Sequence, residues 1–244
     1  MTILSKINKN ISVYKNRIYA KAFYYFIPNR IFKLCENLLC KYYFLKTLSA
    51  SFTFRNKEYK YFHHVYNHTW GNERRVEIPI IWDIIKNKKS TNILEVGNVL
   101  SHYFPISHDV LDKYEKGSSV INEDVVTFKP KKKYAYIVSI STLEHVGWDE
   151  PEKDKMKITQ AFRNLRTMLS RNGKIIFTIP LGYNPYMDDI ISNGKLNLDE
   201  QYFLKRISKD NLWKESKLNR RSRISYNTPF PLANGIIVGI INNA

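Results

Sequence analysis

The sequence predicts an α/β fold in which a largely parallel sheet is wrapped by helices. Two observations lead to this prediction. Short apolar segments alternate along the chain with helical patterns. These segments are also apolar almost without interruption, as in strands that are covered on both faces. The clearest predicted strands are 92–96, 134–140, 174–179 and 236–241. A chain of 244 residues fits one large domain, or one domain with an appendage.

The remaining elements follow from spacing. Residues 108–112 and 118–121 are weaker strand candidates. Between the strands 134–140 and 174–179, apolar side chains recur on one helical face, which predicts a helix over 154–169 that stops at residues 171–173. Earlier in the chain, alternating aromatic residues over 52–62 favour a hairpin, and residues 76–84 favour a short helix. Pro79 fits that helix if it lies in the first turn.

Charge is concentrated near the N-terminus. The chain carries 39 Lys and Arg against 22 Asp and Glu, a net charge of +17, and residues 1–50 include a single acid, Glu36. A second basic run covers 205–223. Such an excess favours anionic partners, namely nucleic acid, an anionic membrane surface or phosphorylated molecules.

The segment 1–50 also contains an amphipathic pattern. Its apolar residues fall at steps of three and four: Ile31, Leu34, Leu38, Tyr42 and Leu45. The predicted helix either lies on an anionic membrane surface or covers the domain that follows. We therefore divide the chain into a basic helical extension (1–50), a lead-in hairpin and helix that pack on the core (51–90), and the core itself (91–244).

Other features of the sequence restrict the predicted cellular location. Lys and Arg interrupt each apolar run short of the ~20 residues that a membrane span needs, and the first residues show no secretory signal. We expect a cytoplasmic protein, either free or peripheral to the inner face of the membrane. Cys35 and Cys40 lack metal-ligand spacing and are expected to be reduced thiols, so no metal site is predicted.

Acidic residues follow three successive predicted strands. In an open α/β sheet, ligands bind at the carboxyl ends of strands where the strand order reverses. Glu95 and Gly97 end the first strand, and the glycine permits a tight turn. Asp112, after the second strand, is placed to accept hydrogen bonds from ribose hydroxyls, and Asp124, after the third, to meet an adenine amino group. Together these residues indicate a site for a nucleotide-like ligand.

Three segments resemble a known superfamily. ILEVG (93–97), STLEHVGW (141–148) and LRTMLSRNGKIIFTIPLGYNP (165–185) look like class I S-adenosylmethionine-dependent methyltransferases, and the resemblance spans 72–241. The combination of NERRVEIPI, EVGNVLSHY and SISTLEHVGWDE is similar to a bacterial and archaeal methyltransferase-like group that is associated with surface-glycan biosynthesis. The resemblance implies a Rossmann-like fold, a mostly parallel seven-stranded sheet and S-adenosylmethionine as cofactor.

The resemblance also implies roles for cofactor contacts. Glu95 and Gly97 would hold the methionine part of the cofactor, Asp112 its ribose and Asp124 its adenine. Asn98 and Ser141 are further candidate contacts for the cofactor.

On the acceptor side, Tyr183 and Asn184 would line the substrate. His145 is the candidate general base for an acceptor hydroxyl, because a neutral imidazole accepts a proton near neutral pH. The alternative is that His145 and Glu144 only order their loop. His63, His64 and His68 have no acidic or cysteine partner at metal spacing and are expected to be surface or lid residues.

One departure from the superfamily keeps alternatives open. Val99 and Ser101 replace the second and third glycines of the usual first motif, so side chains are expected to crowd that turn. The leading hypothesis is methyl transfer to a hydroxyl of a sugar or glycan intermediate. A nucleic-acid methyltransferase is less favoured, because residues 141–144 lack the Asn/Asp-Pro-Pro-aromatic motif of enzymes that methylate base amino groups. A non-catalytic binding module that has lost the cofactor is the third hypothesis.

Overall fold

The computed structural model describes residues 29–218 and 224–243 of the chain. It divides into two compact units, Met1–Lys46 and Thr47–Ala244. The sequence predictions for residues 1–28 and 219–223 lie outside the described residues.

The first unit contributes helix α1, Asn29–Lys46, which confirms the amphipathic helix predicted from residue 31. Its predicted apolar face is open to solvent, since each of these side chains is more than half exposed: Ile31, Leu34, Leu38, Tyr42 and Leu45. Cys35 and Cys40 are free thiols. Among the described residues, no helix is both long enough and apolar enough to cross a membrane.

The second unit contains ten strands and three further helices within the described residues. The strands are β1 Ser51–Phe54, β2 Lys57–Lys60, β3 Ile93–Val96, β4 Asp109–Leu111, β5 Val120–Ile121, β6 Tyr134–Ile140, β7 Leu169–Pro180, β8 Glu200–Arg206, β9 Trp213–Ser216 and β10 Gly235–Asn242. The helices are α2 Arg74–Ile85, α3 Lys157–Met168 and α4 Pro185–Ser192. Strands β1 and β2 form the predicted hairpin, and the two residues that join them both have positive φ.

The main sheet has the order β5-β4-β3-β6-β7-β10-β8-β9. Its first five strands are parallel, and β10 runs antiparallel to both β7 and β8. The predicted fold class, a mostly parallel sheet flanked by helices, is confirmed. In the described part of the chain the sheet has eight strands instead of seven. The additional edge strand β9 is held because Trp213 is buried and its N–H donates to the Tyr61 hydroxyl at 2.8 Å.

Side chains alternate between two apolar layers. Ile137, Phe177 and Ile237 face one layer, which includes the apolar stripes of α3 and α4. Val138, Ile176 and Val238 face the other, which includes α2 and the β1–β2 hairpin. Each fully buried side chain of this size contributes roughly 1.5–3 kcal/mol. The carboxyl ends of the parallel strands are thereby fixed at one edge, where the loops carry the polar residues.

Two local details differ from what the sequence suggested. Helix α3 ends at Met168, and residues 169–173 already belong to β7, because Leu169 is buried and pairs with Tyr134. Pro79 lies in the second turn of α2 instead of the first. A proline there removes the donor for the carbonyl four residues earlier, and that carbonyl, on Arg75, accepts the Phe62 N–H at 3.0 Å instead.

Candidate functional site

A cavity of about 360 Å³ opens at the carboxyl ends of β3, β4, β5 and β6. The strand order reverses between β3 and β6, which is where ligands bind in open α/β sheets. The volume is within the usual range of small-molecule sites. Five of the predicted site residues line this cavity: Gly97, Asp112, Asp124, Ser141 and His145.

Gly97 makes the turn after β3 and brings two loops into contact. Its φ is +88°, and a Cβ at this position would lie 2.2 Å from Oγ1 of Thr142. Its N–H donates to the Leu111 carbonyl at 2.8 Å, which joins the ends of β3 and β4. Only glycine fits both the backbone angle and the contact.

Glu95 lies beneath this turn and is fully buried. Its Oε1 accepts the N–H groups of Val99 and Leu100 at 2.9 and 2.7 Å, and its Oε2 lies 2.8 Å from Nε2 of His108. The carboxylate therefore orders the segment that follows β3, which contains a single 3-10 turn, Leu100–His102, where an α-helix is usual. Direct contact between Glu95 and the cofactor stays a prediction.

The two residues that replace motif glycines do not line the cavity, and the expected crowding of the turn against a cofactor stays a prediction. Val99 is buried in the apolar layer that contains α2, and exposed Ser101 donates to Oδ1 of Asn98 at 2.5 Å. Neither lines the cavity. Asn98 joins the loops after β3 and β4, because its N–H donates to Asp112 and its Nδ2 to Glu115. Its contact with the cofactor stays a prediction.

Asp112 follows β4 and faces the cavity. Its Oδ1 accepts the N–H groups of Tyr114 and Glu115 at 2.9 and 2.8 Å, and its Oδ2 accepts that of Asn98 at 2.9 Å. A carboxylate accepts about four hydrogen bonds, so one acceptor position remains on Oδ2 for a ligand hydroxyl.

Asp124 belongs to a ring of alternating charges. Its Oδ2 contacts Nζ of Lys113 and Lys157 at 2.9 and 3.0 Å, and both ammonium groups also contact Glu150. Burial alone would raise the pKa of Asp124, but the N–H of Val126 and the two lysines outweigh it and lower the pKa to about 2. The sequence pattern did not reveal this ring, and the predicted adenine contact is untested.

Ser141 ends β6 in a strained conformation, with φ at +37°. Its N–H donates to the Thr178 carbonyl at 3.0 Å, and its hydroxyl donates to Oε1 of Glu77 at 2.5 Å. The hydroxyl thus connects the cavity wall to the first turns of α2. Its contact with the cofactor stays a prediction.

His145 lines the cavity and is oriented by a carboxylate that sequence reasoning missed. Nδ1 lies 2.5 Å from Oδ2 of Asp149, which can only accept, so Nδ1–H donates and Nε2 of a neutral ring is an acceptor. The Tyr183 hydroxyl donates to the same oxygen at 2.5 Å, and its ring centroid lies 5.0 Å from that of His145. The His-Val-Gly-Trp-Asp spacing was the available signal for Asp149.

Asn184, the other predicted acceptor contact, is buried and caps helix α4. Its Oδ1 accepts the Tyr186 and Met187 N–H groups, and its Nδ2 donates to the Glu144 carbonyl at 2.7 Å. These bonds hold the loops after β6 and β7 together. Its contact with the acceptor is untested, and so is that of Tyr183.

The early histidine group lies elsewhere in the second unit. His63 is half-buried, and its Nε2 lies 3.0 Å from a guanidinium nitrogen of Arg75 and 3.1 Å from the Thr47 hydroxyl. Nδ1 of His64 accepts the Tyr66 N–H at 3.1 Å. These contacts give both side chains a role in local structure.

Comparison with known proteins gives similarity only among solved structures. No family model matches the chain, and no curated protein matches it. The N-methyltransferase NodS from Bradyrhizobium japonicum WM9, in complex with S-adenosyl-L-homocysteine, is 12% identical, with a TM-score of 0.44 over 70% of this chain and 87% of NodS. A TehB-like SAM-dependent methyltransferase from Corynebacterium glutamicum is 14% identical, with a TM-score of 0.40 over 67% and 86% of the two chains. These scores are too low to assign a cofactor or an acceptor to this chain.

Proposed function

We propose that the chain binds S-adenosylmethionine in the cavity beside Gly97 and transfers its methyl group to a small acceptor. The observation that carries the proposal is the convergence of Gly97, Asp112, Ser141 and His145 on one cavity at the reversal of strand order. Apolar walls for an adenine ring are supplied by Val96, Leu111, Val125 and Val146.

The residues present fit this cofactor. Oδ2 of Asp112 retains an acceptor position for a ribose hydroxyl, and the tight turn at Gly97 allows close approach of the backbone. S-adenosylmethionine supplies, when bound, a methyl group on a positively charged sulfur. Methyl transfer needs the acceptor in line with that group, and positioning of this kind contributes up to ~7–11 kcal/mol. His145, with Nδ1 fixed by Asp149, holds Nε2 ready to accept the acceptor's proton.

Calorimetric titration with S-adenosylhomocysteine tests the proposal. We expect one binding site per chain, and Asp112→Ala should weaken binding at least about tenfold because several hydrogen bonds are lost. Asp189→Ala is the matched control, since this aspartate is exposed and contacts Lys195 on the surface. Absence of binding to the folded wild-type chain would contradict the proposal and favour the binding-module hypothesis.

The hydroxyl of a sugar or glycan intermediate remains the acceptor suggested by the sequence resemblance. Methylation of a nucleic acid remains its alternative. Incubation with labelled S-adenosylmethionine and either total RNA or a sugar mixture separates these two outcomes.

We further propose that helix α1 binds an anionic membrane surface. The support is its exposed apolar face together with Lys33, Lys41 and Lys46, which favour anionic lipid headgroups. Membrane binding would place the protein at the inner face of the membrane without a spanning helix.

Sedimentation with vesicles tests this role. Wild type should sediment with phosphatidylglycerol-containing vesicles and not with pure phosphatidylcholine. Leu34→Ser with Leu38→Ser should abolish sedimentation, as should Lys33→Glu with Lys41→Glu, whereas the exposed control Asn37→Ser should leave it unchanged. Equal sedimentation of all forms, or of none, would contradict the membrane role.

A further inference from the structure

Three glutamates and one arginine lie close together at the start of α2 and in the loop that follows β6. Glu77 is matched within the protein, because Arg74 donates to its Oε2 at 3.2 Å and Ser141 donates to its Oε1. Glu73 and Glu144 are matched only in part, by backbone N–H groups and the charge of Arg74. Among the described residues, Oε2 of each is buried and has no hydrogen-bond partner.

Glu144 is the more informative of the two. It is 1% exposed, and its Oε1 lies 3.7 Å from Nε2 of His145, which lines the cavity. Burial raises the pKa of its carboxyl well above the ordinary value and the charges of Glu77 and Glu73 act in the same direction, whereas a hydrogen bond to its own backbone N–H and the charge of Arg74 act against them. A buried carboxyl without a partner is destabilising unless a donor or a cation completes it. In a chain with a net charge of +17, this concentration of acid needs a specific reason.

Aromatic rings stand next to the same group. The centroids of Tyr183 and Tyr226 lie 5.2 Å apart, and Tyr183 also contacts His145. Burial raises the pKa of the Tyr226 hydroxyl, and the charges of Glu73 and Glu144 act in the same direction. Carboxylates combined with aromatic faces are the surroundings that recognise an ammonium group.

The number of donors decides between an ammonium and a hydroxyl. A hydroxyl donates one hydrogen bond and carries no charge, whereas a primary ammonium donates three and carries one positive charge. Two carboxyls with unmatched oxygens therefore fit the ammonium better. We propose that the methyl acceptor is a primary or secondary amine, bound as its ammonium ion by Glu144 with Glu73 and Tyr226 nearby. This inference rests on the proposed function.

The transfer balances as follows. The ammonium first loses one proton, either to Nε2 of His145 or to the Glu144 carboxylate, which leaves a nitrogen lone pair. That lone pair forms the new N–C bond with the methyl carbon. The C–S bond breaks, and its electron pair stays on sulfur, so the sulfonium becomes a neutral thioether. The products are the N-methylated ammonium, S-adenosylhomocysteine and one released proton.

Matched pairs of probes test the inference on the full chain saturated with S-adenosylhomocysteine. Each pair differs only by an amino group and a hydroxyl: benzylamine and benzyl alcohol, cyclohexylamine and cyclohexanol, glucosamine and glucose. Binding at millimolar concentration is measured by ligand-observed NMR. We expect the amines to bind roughly tenfold or more tightly than their hydroxyl partners, because charged hydrogen bonds are stronger than neutral ones.

Two variants separate recognition from folding. Glu144→Gln keeps the shape but removes the charge, and it should abolish the preference for amines while S-adenosylhomocysteine still binds. Glu152→Gln, at an exposed glutamate nearby in the chain, should change neither. Equal binding of amines and hydroxyl compounds, binding of neither, or a preference for amines that survives Glu144→Gln would overturn the inference. Loss of S-adenosylhomocysteine binding by wild type would instead overturn the proposed function.

Discussion

The two halves of the sheet's carboxyl edge treat their acidic side chains differently. After β3, β4 and β5, the protein supplies most of the partners of the carboxylates: Glu95 is bonded to backbone N–H groups and His108, Asp112 to three N–H groups with one acceptor position left on Oδ2, and Asp124 to two lysines. Beside α2 and after β6, Glu73 and Glu144 each keep a buried oxygen without a partner among the described residues.

This difference separates carboxylates that the protein itself pairs from carboxyls that it leaves partly unpaired. Asp124, which is paired with two lysines, keeps a low pKa. A buried carboxyl oxygen without a partner lowers stability. On the two proposals made above, the first half would bind the nucleoside part of the cofactor and the second a cationic acceptor.

The largest effect is expected at His145, where the two halves meet. His145→Ala should lower the rate of methyl transfer by ~10²–10⁴-fold, because general-base assistance is lost, and should leave S-adenosylhomocysteine affinity within a few-fold. Single-turnover rates with labelled S-adenosylmethionine measure this with an amine that the probe pairs identify. His145→Asn keeps hydrogen bonding but cannot act as a base. If it restores the rate, His145 only orders its loop.

Gly97→Ala should disrupt the half of the edge formed by the loops after β3, β4 and β5. The new Cβ would overlap Thr142, and φ is +88°, so we expect a loss of about 3 kcal/mol in stability and no S-adenosylhomocysteine binding. Urea unfolding and calorimetry measure the two losses. Adding Thr142→Ala removes Oγ1 and Cγ2 and should recover part of the stability. Unchanged unfolding of Gly97→Ala would show that the turn is not the contact described.

The pH dependence of stability in Glu144→Gln tests the half of the edge that contains Glu73 and Glu144. Because the folded-state pKa of Glu144 is raised, the stability that its proton contributes is fully present below the unfolded-state pKa of ~4.3 and is lost as pH rises through the folded-state value. Wild type should therefore lose stability relative to Glu144→Gln as pH rises. Urea unfolding across that range measures the difference, and parallel curves would mean that the carboxyl is matched after all.

For Asp124→Asn, the difference in free energy of unfolding from wild type should change with pH in the opposite direction. The change should be smaller, because the Asp124 side chain is partly exposed. Its folded-state pKa of about 2 is below the ordinary value, so its contribution is present above ~3.9 and is lost as pH falls toward the folded-state value. We expect a loss of about 1 kcal/mol near neutral pH that fades on acidification. A loss that stays constant down to the acid limit would exclude the ion-pair origin.

The smallest effect on the site is expected at the two positions where the first motif differs from the superfamily that the sequence resembles. Val99→Ala should lower stability by about 1–2 kcal/mol, because a buried side chain is shortened, and Ser101→Gly should stay within about 0.5 kcal/mol of wild type. Neither should change S-adenosylhomocysteine affinity, since neither residue lines the cavity. Tighter binding by either variant in calorimetry would show that these side chains do crowd the turn.

The sequence predicted the sheet's parallel half well because its strands are apolar on both faces and end in recognisable turns. Strands β8 and β9 and helix α4 were not predicted. Strand β8 mixes charged and apolar residues, and β9 depends on the contact of Trp213 with Tyr61, which are distant in sequence. At the site, the cavity-lining positions could be read from strand ends, since topology places those ends together.

The sequence could not show which acidic side chains find a hydrogen-bond or ion-pair partner within the protein. Pairing of Asp124 with Lys113 and Lys157 and orientation of His145 by Asp149 are properties of side-chain geometry. The unmatched oxygens of Glu73 and Glu144 are likewise visible only after packing, because either residue in isolation is typical of a helix start or a loop.

The hydrogen bond from the Phe62 N–H to the Arg75 carbonyl, which replaces the donor that Pro79 lacks, affects how the second unit assembles. Helix α2 cannot satisfy the Arg75 carbonyl by itself, and the missing donor is the amide of Phe62, a residue outside the helix. The helix is therefore complete only once the segment after β2 has docked, which couples a local element to a tertiary event. The Phe62 amide proton becomes a reporter of that docking. In hydrogen exchange it should be protected together with the α2 amides, as one cooperative group, although it belongs to an extended stretch of chain.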